Sequence, residues 1–265
     1  MYALKALFNN SEESPDFPPY FLLEKEILER ITCRGTPRFV ESFSLGDIYC
    51  IVQEYIPGWP LSYFIDTGCR FSEQEVRNIL KKLFAILAEL HCPLAKDNAV
   101  IHRDIRLSNL LLNKGNLYLV DFGLARFLDP LQFPLCHDPV EIISSEKALK
   151  YVRPVHSFRM KGQNIPGSVT YSLLRKEISP RSDLFGAGVV AVDLFANQVE
   201  DEAQFALPWE KVLTLSDSFI CFLKKLLGRE EEFQTAQEAL KRLEFLSDNN
   251  ICTSQKAAEN ILFTE

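Results

Sequence analysis

Apolar and polar residues alternate through the first eight positions around Ala3, Lys5 and Leu7, and this period of two predicts a short strand. The next stretch, SEESPDFPP, is dense in turn formers and prolines and reads as a loop. In YFLLEKEILERI the period changes: Leu23, Ile27 and Ile31 recur at helical spacing, so an amphipathic helix is expected. FVESFSL and DIYCIVQEY are β-rich and are joined by Gly46-Asp47, which signals a hairpin. IPGWP then forms a rigid connector, and a lobe boundary is expected near Ile56–Gly58.

Beyond Pro60 the pattern is mainly helical. Ser72, with Glu75 three residues later, forms a capping box. The helix it opens runs apolar at Val76, Ile79, Leu83, Ile86, Leu87 and Leu90 and ends near His91. Short strands follow in NLLLNKG and NLYLVDF. An irregular, proline-punctuated segment fills about 129–168, helices resume at DLFGAGVVAVDLFA, SDSFICFLKKLL and TAQEALKRLEFL, and a polar tail begins near Ser247. The expected organisation is one domain over 1–246, divided into a lobe of residues 1–56 and a lobe of residues 57–246, with 247–265 as the tail.

Composition narrows the classes. The chain has 265 residues, 47% hydrophobic and 25% charged, ordinary values for a globular protein with a large core. No apolar run reaches about 18 residues, so no membrane insertion is expected. No secretory leader is read at MYALKALFNN. The net charge of -7 argues against nucleic acid as a partner. Seven cysteines, scattered singly without a Cys-x-x-Cys pair, suit a reducing, cytoplasmic setting rather than a disulfide scaffold or zinc site.

Two segments carry the candidate chemistry. IHRDIRLSNLLL holds His102, Arg103, Asp104, Arg106 and Asn109, and LYLVDFGLA holds Asp121, Phe122 and Gly123, seventeen residues beyond Asp104. Phosphoryl transfer to a hydroxyl needs an acceptor for the hydroxyl proton, oxygen ligands for a divalent cation, and a cation on the phosphates. Asp104 can take the proton, and Arg106 can balance charge on the transferring group. Asn109 and Asp121 offer hard oxygens of the kind Mg²⁺ uses. Either motif alone is weak; at this spacing, with strand-like sequence between, the pair is specific.

These residues resemble the eukaryotic-type (Hanks-type) serine/threonine protein kinases, from Ala3 to about Leu246. The resemblance implies a two-lobed α+β fold, with a small β-rich lobe (a reduced sheet plus one helix) and a larger, mainly helical lobe. It implies ATP and Mg²⁺ as cofactors and serine or threonine hydroxyls of protein substrates as acceptors. Ala3-Leu4-Lys5 looks like the strand carrying the phosphate-binding lysine. Glu24, nineteen residues on, stands where the family places the glutamate that holds it, with Glu26 as the fallback. Gln53-Glu54-Tyr55-Ile56 resembles the hinge, with Gln53 as gatekeeper and backbone groups of Glu54 and Ile56 receiving the adenine edge. Asp183 matches the buried aspartate that braces the catalytic loop, or else caps a helix. His91 and His137 have no such register and read as structural or solvated.

The sequence departs from the family in four places. No Gly-x-Gly-x-x-Gly turn precedes Lys5, and Arg175 stands where a closing glutamate belongs. Glu177 would be the equivalent under a shifted register. Phe233 replaces that glutamate's arginine partner, so both halves of a buried pair are exchanged together. The segment from Asp121 to Gly167 is long and carries Ser144, Ser145 and Ser157 as expected phosphoacceptors, with Arg103 the charge for a phosphate there. Ser168 and Arg106 favour Ser/Thr over Tyr substrates, and Leu124 leans toward serine. The shortened small lobe predicts an unpaired edge on the lysine strand, explained by a start upstream of Met1 or by a partner that covers the lobe. The expected activity is protein phosphorylation; the alternatives are a pseudokinase scaffold and a small-molecule kinase of the aminoglycoside or choline type.

Overall fold

The computed structural model describes residues 1–8, 19–93, 98–129, 158, 178–228 and 232–246. Strand β1 (Tyr2–Phe8) lies antiparallel to β3 (Ile48–Glu54), which also pairs with β2 (Phe39–Leu45), giving the order β1-β3-β2. The hairpin turns at Gly46, whose φ of +57° suits a residue without Cβ. Lys5, midway along β1, stands opposite Ile51 of the central strand. Among the described residues β1 is an edge strand, as the reading of a shortened lobe predicts.

Helix α1 (Pro19–Arg30) buries Phe21, Leu23, Glu24, Ile27 and Leu28 and packs against β2. Its i, i+4 rows explain why Glu24 shares the core-facing side with Ile27 and Leu28. Glu26 points elsewhere: it pairs with Arg30 at 2.8 Å, so it does not replace Glu24.

Past the connector come β4 (Trp59–Pro60), α2 (Leu61–Asp66) and α3 (Glu73–His91). The capping box of α3 forms as expected, Ser72 Oγ accepting the Glu75 N–H while Glu75 accepts the Ser72 N–H. Strand β5 (Val100–Ile101) pairs with β8 (Arg126–Phe127), and β6 (Leu110–Asn113) with β7 (Asn116–Leu119). These two hairpin-like units put the loop 102–109 and the turn 120–125 side by side.

Helix α4 (Pro180–Asp193) is buried almost all round, because α3 and α6 (Asp217–Leu226) both pack on it. A short α5 (Trp209–Val212) and a last helix α7, residues 236–246, complete the larger part. Phe233 is buried against Phe222, ring centroids 5.2 Å apart, so an apolar contact occupies the position read as a lost arginine. Phe158 is fully buried beside Phe205. Ser144, Ser145, Ser157, His137, Gly167, Ser168, Arg175, Glu177 and the tail lie outside the described residues.

Candidate active site

The site begins with a cation held by two carboxylates. Lys5 Nζ donates to Glu24 Oε1 at 2.7 Å and Oε2 at 2.9 Å, and to Asp121 Oδ1 at 2.9 Å. Burial pushes the Lys5 ammonium down, but Glu24 and Asp121 more than offset this and raise it above the usual lysine value. Glu24 is 4% exposed, and its burial lifts its carboxyl above the usual range against the pull of Lys5. Asp121 adds to that lift by repulsion. Burial acts upward on Asp121 too, but Lys5 and then the Gly123 N–H bring it below the usual carboxylate range. Both directions follow from one arrangement: two acids share one base.

A φ of +67° at Asp121 turns its carboxylate toward Lys5. The turn is tight: a Cβ on Gly123 would sit 3.0 Å from Lys5 Nζ and 3.3 Å from Asp121 Oδ1. The Phe122 ring is buried edge-on to His102, with centroids 4.8 Å apart.

The second half is the loop 102–109. Asn109 Nδ2 donates to Asp104 Oδ2 at 2.9 Å and to Asp104 O at 3.0 Å. With its NH₂ spent on Asp104, the Asn109 amide presents Oδ1 as an acceptor, touched at 3.4 Å by the Ser108 hydroxyl. Arg106 Nε stands 3.2 Å from Asp104 Oδ2. The loop is braced from below: Asp183 Oδ2 accepts the His102 N–H at 2.8 Å and Asp183 Oδ1 the Arg103 N–H at 2.7 Å. Asp183 therefore braces the loop; the N-cap position belongs to Ser179. His102 uses both ring nitrogens, Nε2 donating to Val120 O at 3.2 Å and Nδ1 accepting the Asp104 N–H at 3.2 Å. Burial holds this imidazole below its usual pKa, which keeps Nδ1 unprotonated for Asp104.

At the connector, the Glu54 N–H donates to Arg38 O and the Tyr55 N–H to Met1 O. The Ile56 N–H has no backbone partner among the described residues. The donor set suits the implied group: Asp121 supplies a charged oxygen, Asn109 a neutral one, and Mg²⁺ takes its remaining ligands from phosphates and water. Two groups were not found from sequence. His91 Nε2 lies 2.9 Å from Asp183 Oδ2, and Asp121 is a second partner of Lys5. The position of His91 on the core-facing row of α3, four residues past Leu87, was the available signal.

A lysine–glutamate pair beneath a small sheet, facing an aspartate–asparagine loop braced by a buried aspartate, is phosphoryl-transfer architecture. The protein kinase domain family model matches residues 1–246, and the chain belongs to that family. The chain is similar to the probable serine/threonine-protein kinase YbdM of Bacillus subtilis, 25% identical over 88% of this chain and 74% of that protein. It is similar to serine/threonine-protein kinase B of Synechocystis, 24% identical over 86% of this chain but 39% of that protein's length. A shorter match joins it to serine/threonine-protein kinase PrkC of Bacillus subtilis, 34% identical over 35% of this chain and 14% of that protein.

Proposed function

We propose that this chain is an active protein kinase that transfers the γ-phosphate of ATP to serine or threonine hydroxyls of protein substrates. The observation that carries the reading is that Lys5, Glu24 and Asp121 are joined to the Asp104–Asn109 loop at Val120, whose N–H donates to Asn109 O at 3.0 Å and whose carbonyl accepts from His102. Mg²⁺, when bound, would supply positive charge to neutralise the phosphates. Lys5, fixed by Glu24, places its cation on the phosphates. Asp121 and Asn109 would hold the ion, the first offering a charged oxygen and the second a neutral one. Asp104, its Oδ2 fixed by Asn109, takes the proton of the substrate hydroxyl through its carboxylate as that hydroxyl oxygen bonds to phosphorus and the bond to the ADP oxygen breaks. Arg106 beside Asp104 balances negative charge on the group in transit. The Ser/Thr assignment rests on Arg106 and Ser168 in the sequence and on the likeness to the serine/threonine-protein kinases YbdM and B.

The test is transfer of labelled γ-phosphate from Mg-ATP to casein, with phosphoamino-acid analysis of the product. Label on serine or threonine that vanishes in Asp104→Asn supports the reading; no transfer by a folded protein that binds Mg-ATP overturns it. The alternative is a scaffold that binds nucleotide without turnover. Mg-ATP stabilisation without transfer is the result that selects it.

A further inference from the structure

Behind the connector lies a cavity that shares only Glu54, a hinge residue read as receiving adenine through its backbone, with the residues of the kinase reading. It has a volume of about 530 Å³ and is formed where the end of α1, the chain that follows it, β2, the end of β3 and β7 meet. Lys5, Asp104, Asn109 and Asp121 do not line it. The volume falls in the roughly 300–1,000 Å³ range of small-molecule pockets.

Its walls divide by chemistry. Leu28, Ile31, Cys33 and Phe39 supply an apolar side. The Cys33 thiol belongs to that side: burial pushes its pKa up to about 12, and its S–H is directed at Ile86 O. Of the charged lining residues, Glu29 pairs with Lys25 at 3.2 Å and Arg38 with Glu54 at 3.1 Å. Arg34 is different. It lines the cavity with no carboxylate in reach among the described residues. Thr32 and Tyr118 add hydroxyls that make no hydrogen bond to the described residues. Once the internal pairs are set aside, one positive charge and two free hydroxyls face an apolar wall that ends in the ring of Phe39.

We propose that this cavity is a binding site for a small aromatic carboxylate, its anion on Arg34 with Thr32 and Tyr118, its ring against Leu28, Ile31 and Phe39. The charges of the lining sum to zero, but Arg38 pairs with Glu54 and Glu29 with Lys25, so Arg34 is left to attract a single anion while a second negative charge would approach Glu29 and Glu54. A guanidinium suits a planar carboxylate through paired N–H donors. The site is separate from the nucleotide cleft, so the two can be filled together.

Indole-3-propionate is the probe and indole-3-propionamide its neutral counterpart, with binding followed by saturation-transfer NMR on the intact chain. The carboxylate should saturate in the roughly millimolar range expected for a fragment of this size. The amide and the Arg34→Ala protein should each bind at least about tenfold more weakly. Arg34→Lys, which keeps the charge but not the paired donors, should bind between the parent and Arg34→Ala, and Tyr118→Phe should lose a few-fold. Thermal melts of the unliganded variants, expected to match the parent, separate loss of binding from loss of fold. The proposal is overturned if saturable binding is absent, if the amide binds as tightly, if Arg34→Ala changes nothing, or if Mg-AMPPNP displaces the probe.

Discussion

The imidazole of His91, last residue of α3, reaches Asp183 in the first turn of α4 with Nε2 and Oδ2 2.9 Å apart. Asp183 is fully buried, and burial alone would raise its carboxyl; His91 and the His102 amide bring it below the usual range. That carboxylate holds the amides of His102 and Arg103, and Arg103 adopts a φ of +65°. A left-handed non-glycine residue costs of order 1–3 kcal/mol and persists only where its surroundings enforce it. One buried acid thus joins two helices and sets the loop that aims Asp104.

Asp183→Ala should therefore lower stability by about 3–5 kcal/mol, the usual cost of removing one member of a buried charged network. Asp183→Asn, which keeps an acceptor for one amide, should lose less. Urea unfolding of both variants checks this. A loss under about 1 kcal/mol for the alanine variant would show that the loop holds its shape without Asp183.

Asp104→Asn and Asp121→Asn should both abolish phosphate transfer and separate in nucleotide binding. Asp121 offers the charged oxygen for the cation and holds Lys5, so its amide variant should bind Mg-ATP at least about tenfold more weakly. Asp104 faces the acceptor hydroxyl, so its variant should bind Mg-ATP nearly as the parent does. Calorimetric titration distinguishes them, and equal weakening in both would contradict the division of roles.

Much of this site was legible because its members sit in local patterns. The alternating strand around Lys5, the apolar row of α1 and the Ser72–Glu75 box were read from local pattern, while the roles of Lys5 and Glu24 came from the resemblance to the kinase family. His91 was read only as structural or solvated because its partner lies 92 residues away, and nothing local in α3 announces a carboxylate. The β5–β8 pairing escaped for a related reason: Val100–Ile101 and Arg126–Phe127 are two residues each, too short for any period to show. Asp121 as a second partner of Lys5 was hidden because its direction depends on one positive φ.

Lys5→Met should remove transfer and also disturb the fold. It leaves Glu24, already held above the usual carboxyl range by burial, without its cation. Glu24 in that variant should take up a proton at neutral pH. Adding Glu24→Gln to Lys5→Met should then restore part of the lost melting temperature without restoring activity. A double variant no more stable than Lys5→Met would mean that Glu24 is well solvated.

The pH dependence has a fixed sign for Asp121. Its folded pKa is depressed, so its contribution to stability is fully present above the unfolded value of about 3.9. That contribution is lost as pH falls through the lower folded value. The difference in melting temperature between the parent and Asp121→Asn should be constant from about pH 5 to 8 and shrink below about pH 4. A difference that grows on acidification would reverse the assignment.

Gly123 gives the most localised test of the ion triad. A Cβ there would stand 3.0 Å from Lys5 Nζ, 3.3 Å from Asp121 Oδ1 and 3.4 Å from Glu24 Oε2. The lysine end is flexible and can yield a few tenths of an ångström, so Gly123→Ala should fold with a melting temperature within a few degrees of the parent. That displacement falls on the cation meant for the phosphates, and small misplacements of catalytic groups carry large kinetic penalties. Transfer should drop by roughly ten- to a hundredfold, with kcat affected more than KM for ATP. Unchanged kcat in a folded Gly123→Ala protein would mean that Lys5 need not stand where Glu24 and Asp121 now hold it.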